Sequence, residues 1–219
     1  MLFGGTGLYI NSLIYGIDYQ DFELDEEYRI ELMKKAENEA GLNELYEEAC
    51  KIDPDAMKII SKNDKKRIIR VLEIYKATGK NKTEQEKISK MNGIKYDCKI
   101  FAINMDREKL YERINKRVDI MIENGLVDEV KNLKEKYNHF PTAMQGLGYK
   151  EVVEYLDSKI TYEEMIEKIK KESRHYAKRQ FTWFKKNKET TWLDAENDIQ
   201  NNINIILEVY KSWKTKIKN

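Results

Sequence analysis

The chain has 219 residues, 41% hydrophobic and 36% charged, enough for one substantial core or two smaller bodies and too apolar for general disorder. Forty Lys and Arg against 39 Asp and Glu give a formal charge of +1, which excludes a strong attraction of the whole molecule for a polyanion and turns attention to how charge is distributed. No apolar run approaches the roughly 18 residues of a membrane span, and Cys50 and Cys98 fit neither a CxxC nor a zinc spacing, so they are expected as small buried thiols of a cytoplasmic protein.

With only 2 prolines and 10 glycines, the chain has few obligatory helix breaks. Met1-Leu2-Phe3 reads as the end of a buried strand, Gly4-Gly5-Thr6-Gly7 as a tight turn, and Leu8-Tyr9-Ile10 as a helix start. A strand at that point needs neighbours for its backbone groups, which points to a chain cut short at its N-terminus. Helices are predicted over 25–39, 41–50 and 64–77, with Asp53-Pro54 and Ser61-Lys62-Asn63-Asp64 as caps and turns and Thr78-Gly79 as a stop. Thr83-Glu84-Gln85-Glu86 has capping-box spacing for another short helix. Residues 20–95 thus form a helical insert, after a remnant of an α/β core at 1–19.

The clearest strand is 99–104, followed by an Asp106-capped helix from Arg107 to Glu123 in which Leu110, Ile114, Val118 and Met121 recur at helical spacing. Gly125 ends it, and Val127 to Tyr137 forms the next helix. After Pro141, Gln145-Gly146-Leu147-Gly148-Tyr149-Lys150 leads flexibly into a helix through Leu156. Thr161 and Glu164 make a capping box for a long helix to Asn187, Thr190 to Asp194 is a short closing strand, and a last amphipathic helix covers about 198–214. Residues 96–219 are therefore the C-terminal part of an α/β core, in a chain that is helix-rich overall.

Charge is uneven. From Lys168 to Lys188 nine basic residues face one acidic residue, Glu172, whereas Asp21 to Glu48 is acid-rich. Gly4-Gly5-Thr6-Gly7 is either a plain turn or a helix N-terminus whose amides and Thr6 hydroxyl meet an anion or a base. Thr78-Gly79-Lys80 is no phosphate loop, because Ile74 and Asn81 stand where glycine and Ser/Thr are needed, and no other stretch fits GxxxxGK[ST]. Lys66, Arg67 and Arg70 share a helix opposite the expected buried side of Ile68, Leu72 and Tyr75. They are either a solvated face paired with carboxylates or a phosphate clamp. Arg113 and Arg117, one turn apart, either pair with Glu112 and Asp119 or neutralise a leaving anion.

Between Ser173 and Phe184, Arg174 and Lys178 lie on one helical line, flanked by Arg179 and Gln180 and interleaved with aromatics. Phe181 and Phe184 are expected in the core, and the cations and Gln180 against phosphates or an extruded base. His175 has no nucleophile or carboxylate at a catalytic spacing and reads as a packed or surface histidine.

GGTGLYI at 4–10, RIIRVLEIY at 67–75 with TGK at 78–80, REKLYERINKRVDIMIENGLVDEV at 107–130, QGLGYKE at 145–151 and AKRQFTWFK at 177–185 together resemble the tRNA dimethylallyltransferase family, in its order and over nearly the whole chain. The resemblance implies a P-loop kinase-like α/β core, here truncated, with a predominantly helical inserted domain and a channel between them. It implies transfer of a dimethylallyl group from dimethylallyl diphosphate to N6 of adenine 37 in the tRNA anticodon loop, with Mg²⁺, ATP-type nucleotide-binding architecture, a cytoplasmic setting and a monomeric intact enzyme. By position, Thr6 looks like the residue near the target adenine, and Arg113 and Arg117 like neighbours of the leaving group. Lys66, Arg67, Arg70, Gln145, Gly148, Tyr149, Lys150, Arg174, Lys178, Arg179, Gln180 and Lys185 resemble tRNA-contacting positions, and Arg29 is a further one. No metal ligand is assigned. The family's phosphate loop and aspartate base belong upstream of GGTG, so these residues alone are expected to be inactive and able to self-associate; the alternative is a tRNA- or RNA-binding module without chemistry.

Overall fold

The computed structural model describes residues 1–15, 25–84, 87, 96–137 and 143–217. The chain is a helix-rich α/β protein that divides into two units, 1–98 and 99–219.

In the first unit, helix α1 spans Gly7–Tyr15, with the Thr6 carbonyl accepting from the N–H groups of Tyr9 and Ile10 at 3.1 and 3.3 Å. The helix start after GGTG is therefore where the sequence puts it. The strand before it is not: Met1, Leu2 and Phe3 are exposed and irregular. A strand exists only when paired, and the strands among the described residues pair with each other.

Helices α2 (Glu26–Lys35), α3 (Glu39–Ile52), α4 (Pro54–Met57) and α5 (Lys65–Thr78) enclose a core that includes Leu32, Leu45, Ile68, Val71 and Leu72. Each such side chain contributes about 1.5–3 kcal/mol by leaving water. The predicted 25–39 helix ends early, at Lys35, and the one expected from 41 starts at Glu39. The Asn38 side chain accepts from the Gly41 N–H at 2.7 Å and starts a new helix, and a Cβ on Gly41 would lie 2.1 Å from the Lys35 carbonyl oxygen. Only glycine permits that approach. Asp64 caps α5 by accepting from the Arg67 N–H at 3.2 Å, and Gly79, at φ 65°, ends it in the left-handed conformation.

Three local expectations change. Tyr75 is exposed rather than on the buried side, because the inward stripe of α5 runs through Ile68, Leu72 and Ile74. Thr83 does not cap the helical turn that opens at Lys82. Asn81 does so, accepting from the Glu84 N–H at 2.7 Å, while the Thr83 hydroxyl and N–H donate to buried Asp53 at 2.7 and 2.8 Å. The rest of that predicted helix, at Gln85 and Glu86, lies outside the described residues, as do Pro141 and the expected boundaries at 19/20 and 95/96. Neither Cys50 nor Cys98 is in a disulfide, and both are half-buried rather than buried.

The second unit opens with β1 (Phe101–Asn104), followed by α6 (Arg107–Glu123) and α7 (Leu126–Lys136). A 3-10 turn (Ala143–Gln145), α8 (Tyr149–Leu156), α9 (Tyr162–Lys185), β2 (Thr191–Asp194) and α10 (Ile199–Ile217) complete it. β1 and β2 are parallel, with Phe101 opposite Thr191 and Asn104 opposite Asp194. A parallel pair needs a long crossover, which the intervening helices supply. Asp106 caps α6 through the N–H groups of Glu108 and Lys109, Gly125 at φ 90° separates α6 from α7, and Thr161 and Glu164 form the reciprocal box that starts α9. The core joins Val118 of α6, Leu126 and Val130 of α7, Val152 of α8 and Met165 and Ile169 of α9.

Candidate nucleic-acid surfaces of the two units

In the first unit the seam between α2 and α5 carries the cations. Asp25, Tyr28, Arg29, Leu32 and Ala36 recur every three or four residues along α2 and its caps, so they share one face. Lys76 reaches Asp25 at 3.0 Å and lies 3.8 Å from the centre of the Tyr28 ring. One turn back along α5, Glu73 is buried, its side chain 4% exposed. Arg29 Nη1 donates to its Oε1 at 3.2 Å and Arg70 Nη1 to its Oε2 at 3.4 Å. Both arginines stay nearly half exposed. Arg67 pairs with Asp64 at 3.4 Å, so carboxylate partners exist for Arg67 and Arg70, and Lys66 is exposed beside them. Thr6 is exposed at the start of α1, none of whose residues is buried.

In the second unit the Gln145–Lys150 segment is tied to a carboxylate. Gly148 sits at φ 93°, and its N–H donates at 2.9 Å to Oε2 of Glu151, which is fully buried. The Lys150 ammonium lies 3.2 Å from Oε1 of the same group. The Tyr149 hydroxyl donates to Glu129 of α7, a bond that, with burial, raises the phenol's pKa. Gln145 is exposed in the turn before them.

The basic run of α9 is divided. Lys168 is held by Glu154 and Lys170 by Asp119 at 2.8 Å, and these hydrogen bonds raise both ammonium pKa values. Arg174 donates to the Asn115 side chain at 2.6 Å and lies 6.0 Å from the Tyr111 ring, so α6 fixes it. Past that point Lys178, Arg179 and Lys185 are exposed and have no carboxylate partner among the described residues. Arg179 lies 5.8 Å from the Tyr176 ring. Phe181 and Phe184 are half-buried instead of core. Phe181 stacks on Trp192 of β2 at 5.8 Å, while Phe184 meets Trp183 edge-on. Gln180 is half-buried beside them, and His175 is a surface histidine 3.4 Å from Glu172. Arg113 and Arg117 are exposed on α6 and lack the expected carboxylates among the described residues: Asp119 goes to Lys170, and Arg113 reaches the Met105 sulfur at 3.9 Å.

Sequence reasoning missed Glu73, Glu151 and Asn115. A signal existed for the first, a carboxylate inside the apolar run Val71-Leu72-Glu73-Ile74, and for the second, a glutamate three residues after the helix-starting Gly148.

The architecture and these surfaces define a helix-rich α/β protein with outward cations set over buried carboxylates. The IPP transferase family model matches residues 1–187, and the chain belongs to that family. It is 51% identical over 188 residues to the tRNA dimethylallyltransferase of Caldanaerobacter subterraneus subsp. tengcongensis and 53% identical to that of Thermoanaerobacter pseudethanolicus, in both cases over 84% of this chain and 59% of the relative. The chain thus spans 59% of the length of these curated relatives. Among solved structures, the full-length tRNA isopentenylpyrophosphate transferase of Bacillus halodurans matches 97% of this chain with a TM-score of 0.61 and 38% identity, over 66% of its own length. A eukaryotic dimethylallyltransferase acting on tRNA matches 95% of the chain with a TM-score of 0.65 and 29% identity, over 56% of its own.

Proposed function

We propose that these residues are the tRNA-gripping part of a tRNA dimethylallyltransferase, an enzyme that moves the dimethylallyl group from dimethylallyl diphosphate to N6 of adenine 37 in the anticodon loop. The observation that carries this reading is the identity of more than half with tRNA dimethylallyltransferases over 188 residues. In the reaction the adenine amine forms a bond to the allylic carbon, the carbon–oxygen bond to diphosphate breaks with its electron pair leaving on oxygen, and the amine gives up a proton. Thr6, exposed at a helix start, is the residue assigned to the adenine. Arg113 and Arg117, without carboxylate partners among the described residues, suit the charge of the departing diphosphate. No carboxylate of this chain is assigned as the base.

Lys178, Arg179 and Lys185, with Lys66, Arg67, Arg70 and Arg29 on the first unit and the Gln145–Lys150 turn on the second, are assigned to the tRNA backbone. Among the described residues no group of three His, Cys, Asp or Glu could hold the Mg²⁺ that family resemblance implies. Among those residues no helix is long and apolar enough to cross a membrane. The reading makes the intact enzyme a cytoplasmic monomer.

The 219 residues contain no GxxxxGK[ST] segment, so by themselves they are assigned binding without turnover. The test is filter binding of an unmodified tRNA transcript alongside prenyl transfer from labelled dimethylallyl diphosphate. Salt-dependent binding without transfer is the expected result. Binding that salt does not weaken would overturn the tRNA assignment, and measurable transfer would overturn the assignment of binding alone.

A further inference from the structure

We infer that Glu73 is a positioning residue for tRNA binding, holding Arg29 of α2 and Arg70 of α5 together as one two-guanidinium fork; this rests on the tRNA reading above. Glu73 is enclosed while both of its partners remain nearly half exposed. An enclosed carboxylate that leaves both of its guanidiniums at the surface directs them without covering them. Here one oxygen goes to each arginine, Oε1 to Arg29 and Oε2 to Arg70, so one carboxylate joins the two guanidiniums. Arg29 comes from 44 residues earlier in the chain, so the carboxylate joins cations that sequence alone keeps apart.

Guanidinium forks bind phosphate oxygens well only when their planes are set in advance, because ordering a free arginine side chain on binding costs about 0.5–1.5 kcal/mol. The neighbouring groups support the arrangement. Lys76, next on the seam, is occupied by Asp25 and the Tyr28 ring, whereas Arg29 and Arg70 meet on one carboxylate. The acceptor that fits is a phosphodiester backbone, the sequence-independent part of RNA recognition.

Electrostatics makes the test directional. If Glu73 were merely a negative charge near the RNA path, Glu73→Gln would tighten binding, since it removes repulsion from a polyanion. If Glu73 positions the fork, the same change weakens binding although the protein becomes more positive. The experiment measures binding of an unmodified anticodon stem-loop RNA by the 219-residue chain and by Glu73→Gln over a salt series, with thermal melts as a check on folding. The expected result is a several-fold loss of affinity and a log–log salt slope lower by about one for each phosphate that the fork no longer neutralises. In an Arg29→Ala/Arg70→Ala background, Glu73→Gln is expected to weaken binding no further. Unchanged or tighter binding by Glu73→Gln, or an undiminished loss in the double-arginine background, would overturn the proposal and leave the tRNA reading standing. A parent chain that does not bind the RNA at all would overturn both.

Discussion

Glu73 and Glu151 are both enclosed carboxylates beneath cationic segments, one in each unit, yet they hold different things. Glu73 grips two side chains that approach from separate helices. Glu151 grips a backbone N–H in a turn, and Lys150 sits beside it. In the first unit the carboxylate sets the direction of the cations, and the helices stand on their own apolar contacts. In the second it sets the path of the chain, and the cations follow. Removing Glu151 should therefore act on stability first, and removing Glu73 on binding first.

The largest expected effect asks whether the helices of the first unit do rest on their apolar core. Leu72→Ala, at a site 1% exposed, should cost about 2–5 kcal/mol, read as a lower urea midpoint and faster amide exchange in α3 and α5. A loss below about 1 kcal/mol would mean that the polar seam along α2 and α5 carries more of the unit than its core does. Next comes Glu151→Ala, which leaves the Gly148 N–H buried without its acceptor and should cost about 1–3 kcal/mol. Near-neutral behaviour would break the contrast between the two glutamates.

A third test uses acid. Burial pushes the Asp53 carboxyl up, but hydrogen bonds from the Thr83 hydroxyl and from the N–H groups of Ala56 and Thr83 outweigh it and hold the group below its ordinary 3.8. With the folded value depressed, the unfolded chain takes up the proton first as pH falls. The contribution of Asp53 is therefore complete above the unfolded value and disappears as pH drops through the folded one. Asp53→Asn should be less stable than the parent at neutral pH, and the gap should narrow in acid. Urea midpoints measured across the acid limb check this, and a gap constant with pH would show that the carboxylate charge is not what Thr83 depends on.

What the sequence disclosed, and what it concealed, follows the reach of each interaction. Asp64, Asp106 and the Thr161/Glu164 pair announce helix starts because their acceptors serve N–H groups two or three residues away, and Gly79 and Gly125 announce ends because the left-handed backbone is theirs locally. The break between α2 and α3 was read a few residues late, at 40 instead of Ala36–Asn38, since the need for glycine at 41 comes from the Lys35 carbonyl pressed against it in the folded chain. Of the two strands the first was visible as an apolar run and the second as a short closing segment, but their parallel pairing spans an interval of helices that periodicity cannot cross. At the candidate surfaces, residue types were readable and their fates were not. Arg29 and Glu73, and Arg174 and Asn115, are 44 and 59 residues apart, so nothing local announces which cation is tied and which is left outward.

The smallest effects on stability come from α9, where Arg174 and Lys178 stand one turn apart on the same helical line. Arg174 is fastened to Asn115 and lies near Tyr111, so Arg174→Ala removes a charge-assisted hydrogen bond at a half-buried site and should cost about 1 kcal/mol. Lys178 is exposed with no carboxylate partner among the described residues, and Lys178→Ala should stay within about 0.5 kcal/mol of the parent. For RNA the order inverts. Losing Lys178 should lower the salt slope of tRNA binding by about one, because an ammonium with no carboxylate beside it is available to displace a counterion from phosphate, whereas an arginine already engaged with α6 has less to give. If Arg174→Ala lowers the slope more than Lys178→Ala, the tether to Asn115 presents the guanidinium to RNA, and α9 works as the α2–α5 seam does.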